Sequence, residues 1–105
     1  MNNYSVILMP TAEEELLEIA EYIALDNPVR ADSFIVELVG SLIKTLSIFP
    51  ESGQIFQEHN FENEIRSFPY GDYLSFYQVV ESKKTVEVLY IFHSKRDIVG
   101  FIQGL

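Results

Sequence analysis

The chain has 105 residues, 48% of them apolar, no cysteine and a formal charge of −9. That length supports one hydrophobic core, so residues 1–105 are expected to form a single domain. The missing thiols exclude disulfides and thiolate metal sites and agree with a reducing cytoplasmic setting. The acidic balance argues against routine nucleic-acid binding, which needs Lys and Arg against phosphate. Residues 1–64 hold two basic side chains against twelve acidic ones, whereas residues 65–105 hold five against four. Any anion or partner contact made by cations is therefore expected late in the chain. The opening MNNYSVILMP has no basic start and too short an apolar run for a signal peptide or a membrane span.

Residues 4–9, YSVILM, read as a first strand stopped by Pro10. Thr11 followed by Glu14 has the spacing of a capping box, and Glu13–Glu15 place negative charge at the positive end of the helix dipole. Leu16, Leu17, Ala20, Ile23 and Ala24 then recur at helical spacing, predicting a helix that ends near Leu25. Asn27 is a good cap for a second helix, with Pro28 at its first position. Ala31, Phe34, Ile35, Leu38, Leu42, Ile43 and Leu46 continue that period to about Ile48, before Phe49-Pro50. So short a connection makes the two helices an antiparallel hairpin.

Residues 51–64 are polar and rich in turn formers, and they read as a loop. Ile65–Phe68 begin a strand, and Pro69–Asp72 form a turn. Tyr73–Val80 are a β-branched and aromatic strand, Glu81–Lys84 a hairpin loop, and Val86–Phe92 an almost wholly apolar strand suited to a central position. Beyond Asp97 lies a short apolar tail, Ile98 to Leu105, that must dock or meet a partner. The predicted class is α+β with order β-α-α-β-β-β, a helical hairpin packed on one face of a mainly antiparallel sheet.

Four strings in this order, TAEEELLEIAEYIALDNP, LSIFPESGQI, IRSFPYGDYLSFYQV and VLYIFHSKRDI, resemble the RelE/ParE toxin superfamily of type II toxin–antitoxin systems over nearly the whole chain. The RSFPYG turn and the terminal H-x-x-R-D element are closer to the ParE branch. That resemblance implies a toxin that inhibits DNA gyrase by protein contact and is neutralised in a hetero-oligomer by a cognate antitoxin. It implies no cofactor, metal or membrane. The alternatives are a RelE-like messenger-RNA endonuclease acting on the ribosome, or a non-toxic member that serves as a binding module. The ribonuclease branch places an Arg where this chain has Leu74, and a Tyr near the C-terminus where Ile98–Leu105 contain none. If RNA were cleaved, His93, Lys95 and Arg96 would supply the acid–base and phosphate-binding groups. Otherwise Arg66, Tyr70, His93, Lys95, Arg96 and Asp97 are the candidate partner contacts. For His93 the competing structural reading is a strand-end ring that holds a backbone group or Asp97. Arg96 and Arg66 could equally form internal ion pairs. His59 between Glu58 and Glu62 is poor metal geometry, and the glutamates of the first helix read as a solvated flank.

Overall fold

The computed structural model describes residues 3–56 and 63–95. Strand β1 spans Ser5–Leu8, helix α1 Pro10–Ala24, and helix α2 Pro28–Leu46. Strands β2 (Gln54–Phe56), β3 (Ile65–Tyr70), β4 (Tyr73–Val80) and β5 (Thr85–His93) follow, with a short 3₁₀ turn at Glu81–Lys83. The strands form one sheet in the order β1-β5-β4-β3-β2, in which β1 runs parallel to β5 and every other pair is antiparallel. This is the expected α+β arrangement, with β5 in the interior between β1 and β4.

Local chemistry explains the element ends, including those that depart from expectation. Pro10 does more than stop β1: it opens α1 with Met9 as cap and no side-chain cap hydrogen bond. A proline ring already holds the φ of a first helical residue, so Thr11 falls two places past the cap and cannot complete its capping box. Asn27 caps α2 as expected, its side chain accepting from the Arg30 N–H at 3.1 Å. The segment expected as a loop contains β2, whose three residues pair with Ile65–Ser67. Three residues of mixed polarity are too few to show an alternating pattern.

The β3–β4 connection is tighter than the expected four-residue turn. Tyr70 pairs directly with Tyr73, leaving Gly71 and Asp72 as the two-residue loop, with Gly71 at φ +56°. Two-residue hairpins require such positive φ values to follow strand twist. Pro69 therefore lies within β3. The alternating ladder directs its nitrogen away from β4, to a side where β2 has already ended.

Both helices pack on the same sheet face. Leu16 from α1, Phe34, Leu38, Leu42 and Leu46 from α2, and Tyr77, Val86, Val88 and Ile91 from the sheet form the main core. The other face carries a smaller cluster of Ile65, Phe76 and Phe92. A bulge links the two: Tyr77 pairs with Val88 but Phe76 pairs with Tyr90, so Leu89 is an extra residue in β5. An extra residue reverses the phase of the pleat. Leu89 and Tyr90 thus both pack with the smaller cluster, and Ile91 returns to the helical side.

Candidate partner-binding site

The hairpin register sets three rings in one row across the end of the sheet: Tyr70 of β3 opposite Tyr73 of β4, and Tyr73 opposite His93 of β5. Tyr73 and His93 meet edge to face at 5.2 Å, and Phe34 of α2 packs at a tilt against Tyr73 at 5.1 Å and Tyr70 at 6.0 Å. The Ser94 N–H donates to the Asp72 carbonyl at 2.7 Å, which ties the end of β5 to the β3–β4 turn. The His93 Nδ1 accepts from the Lys95 backbone N–H at 3.1 Å. That fixes the ring orientation and turns Nε2 away from its own backbone.

Glu37 of α2 organises the Tyr70 end of the row. It accepts from the Tyr70 hydroxyl at 2.8 Å and from Arg30 Nη1 at 2.9 Å. These two donors, the tyrosine first, hold the Glu37 carboxyl below its usual range, while the same carboxylate pushes the Tyr70 phenol upward. Burial raises Tyr73, helped by Asp72 and Tyr22, so the phenol at the centre of the row stays neutral.

The helical hairpin supplies the rest. Among the described residues strand β1 pairs with Thr85–Val88, so the far half of β5 extends past it and meets α1 instead. There the Glu15 carboxylate accepts the Ile91 N–H at 3.1 Å, a side chain replacing the missing strand neighbour. A cavity of about 390 Å³ opens beside this contact, walled by Glu15, Glu18 and Tyr22 on α1 and by Tyr73 and His93 on the sheet. Tyr22 also borders a second hollow at the hairpin tip, and Tyr73 a third beside Arg30 and Gly71. Tyr22, Leu25 and Val29 are 74%, 87% and 79% exposed, which makes the tip an uncovered apolar surface.

Of the residues singled out in the sequence, Tyr70, His93 and Lys95 come together at this end. Arg66 lies elsewhere, on a register row with Tyr77, four residues or about 13 Å along β3. Its guanidinium donates to the carbonyls of Glu51 and Gly53 at 2.9 and 2.8 Å and to Glu64 at 2.9 Å. Arg96, Asp97, His59 and the apolar tail fall outside the described residues. Glu15, Glu18, Tyr22 and Tyr73 were not expected at the site. The spacing of residues 15, 18 and 22 does place them on one helix face, but only the tertiary fold shows that this face meets β5.

Solved structures share this architecture. The chain is similar to a chain of the chromosomal ParDE toxin–antitoxin system from P. aeruginosa, with a TM-score of 0.71 and 15% identity over 90% of this chain and 100% of that one. It is similar to a chain of the RelBE2 toxin–antitoxin complex from Mycobacterium tuberculosis, with a TM-score of 0.64 and 21% identity over 89% and 93%. For the isolated E. coli RelE toxin the TM-score is 0.55 and the identity 19%, over 96% and 95%. No curated protein matches the sequence. Residues 6–98 match the family described as the ParE toxin of the type II toxin–antitoxin system, parDE. The chain belongs to that family, as its strings of residues had suggested. Among the described residues no helix is long and apolar enough to cross a membrane.

Proposed function

We propose that this chain is a cytoplasmic toxin that inhibits DNA gyrase by protein–protein contact and is neutralised by a cognate antitoxin. The observation that carries the reading is the character of the exposed end: aromatic rings and apolar residues at the hairpin tip, with carboxylates beside them. Interfaces between proteins are built around such anchors, whereas phosphate chemistry needs convergent cations. Among the described residues the cations at this end are Arg30, already paired with Glu37 at 2.9 Å, and Lys95. Position 74 adds nothing to a nuclease. Leu74 packs with the smaller cluster on the sheet's other face, while His93 shares a row with Tyr73 on the helical side. Tyr70, His93, Lys95 and, beyond the described residues, Arg96 and Asp97 are the proposed partner contacts. Arg66, tied to the 51–53 segment, is the proposed contact with the heaviest structural duty.

The test is a supercoiling assay with purified protein, joined to expression without an antitoxin and pulse-labelling of new protein. Inhibited supercoiling and filamentous arrest with translation initially intact are expected. Cleavage of ribosome-bound message that disappears in His93→Ala would replace this reading with the ribonuclease one. Normal growth and uninhibited gyrase would leave a binding module.

A further inference from the structure

We propose that the sheet face opposite the helices is a docking surface for the chain's own apolar tail, residues 96–105, which closes the smaller core. The proposal does not depend on which partner the chain meets. Three observations carry it. First, that core is buried more deeply than the described elements account for. Ile65, Phe76 and Phe92 are 2%, 1% and 1% exposed. Among the described residues their cluster is completed by Phe56, Leu74, Leu89 and Tyr90, all of them on the same strands. Strand side chains stand roughly perpendicular to a sheet, so neighbours on one face shield the flanks of a ring and leave its tip open. Both helices pack on the other face. A further layer must therefore lie over these rings. They are buried within a single chain, so that layer belongs to the chain itself and not to a second copy or a partner.

Second, residues 96–105 start in the right place and are long enough. Strand β5 ends at His93, next to the Phe92–Leu74 pair. The Ser94 N–H is held by the Asp72 carbonyl at 2.7 Å, which draws the chain toward β4 rather than outward past β1. Leu74 pairs with Pro69, and Ile65 lies four residues, or about 13 Å, farther along β3. Ten residues span about 15 Å as a helix and more when extended. Either form covers the cluster from end to end.

Third, composition selects the occupant. Ile98, Val99, Phe101, Ile102 and Leu105 are apolar, and no charged residue follows Asp97. The other internal stretch beyond the described residues, 57–62, reads QEHNFE, with two carboxylates and Phe61 as its one large apolar side chain. It is also tethered beside Phe56 and Ile65, at the opposite end of the cluster from Phe92.

The experiment follows the full chain by NMR with isotope-labelled isoleucine, leucine and valine methyls. Nuclear Overhauser contacts from the methyls of Ile98, Val99 and Ile102 to the rings of Phe76 and Phe92 are expected, unchanged on dilution. Phe101→Ala should weaken those contacts and lower the melting temperature by about 10 °C, and Phe61→Ala should lower it by less than half as much. Should Phe101→Ala fail to fold, the contacts in the parent chain decide. Rings that meet Phe61 and no tail methyl would overturn the proposal. So would tail methyls that instead contact Tyr22, Leu25 or Val29, that touch nothing, or that lose their ring contacts on dilution.

Discussion

The two ends of the molecule use their polar side chains in opposite ways. At one end the chain leaving α2 turns through Pro50 to Gly53, and Tyr77 sits beneath it fully buried. Its hydroxyl donates to the Pro50 carbonyl at 2.8 Å and accepts from the Gly53 N–H at 2.9 Å. Arg66 secures the same segment through Glu51 and Gly53. At the other end Tyr22, Tyr73, His93 and Glu18 surround an open cavity, and their substitution leaves fewer backbone groups orphaned. The first end is bound inward and sets the fold. The second faces outward and is the proposed place for a partner.

The comparison breaks most sharply at Gly53. A Cβ there would lie 2.5 Å from the Tyr77 hydroxyl and 2.6 Å from the Ser67 carbonyl oxygen. Gly53→Ala should therefore cost about 2–4 kcal/mol in urea unfolding, since neither a backbone oxygen nor a buried ring can yield cheaply. Tyr77→Phe strands the Gly53 N–H and the Pro50 carbonyl, and a loss of about 1–3 kcal/mol is expected. The same variant changes the pH profile. Burial, the main cause, raises the Tyr77 phenol above its ordinary value of 10.0. Its contribution is thus fully present below pH 10 and is lost as pH rises toward the folded value. Tyr77→Phe should soften the alkaline fall in stability without removing it, because Tyr70, Tyr73 and Tyr90 are raised as well.

Smaller effects sharpen the contrast. Thr85 Oγ1 is buried without a hydrogen-bond partner among the described residues. Thr85→Val should be neutral or gain up to about 1 kcal/mol in thermal unfolding, a check that the tight end rewards satisfied polar groups and no others. Tyr22→Ala should leave unfolding within about 0.5 kcal/mol of the parent chain while weakening partner binding. A large stability loss there would mean that the tip belongs to the core.

Long periodic segments made the helical hairpin and the three main strands readable from the residues alone. Asn27-Pro28 marked the start of α2, and the apolar run of β5 marked its interior place. What stayed hidden depends on registration between distant segments. No local pattern shows that Glu15 reaches an N–H seventy-six positions away, or that Tyr77 closes around Gly53. The site was visible as types of residue, His93, Tyr70 and Lys95, but not as a place. Its second wall comes from a helix flank that reads as solvated surface. Arg66 was ambiguous because a lone cation in a strand suits a partner and an internal brace equally well, and its carbonyl partners belong to a segment with no periodic signal.

The Leu89 bulge has a consequence at the far end of its strand. Were Leu89 held in regular alternation with no bulge, Tyr90 and Phe92 would point toward the helical side, and His93 would emerge on the opposite surface, away from Tyr73 and Glu18. One supernumerary residue thus serves as a parity bit for everything downstream. Flattening the bulge with Leu89 kept in the ladder would leave the composition of the strand unchanged and would deliver the imidazole to the wrong side of the molecule, whereas deleting Leu89 would leave it on its present side.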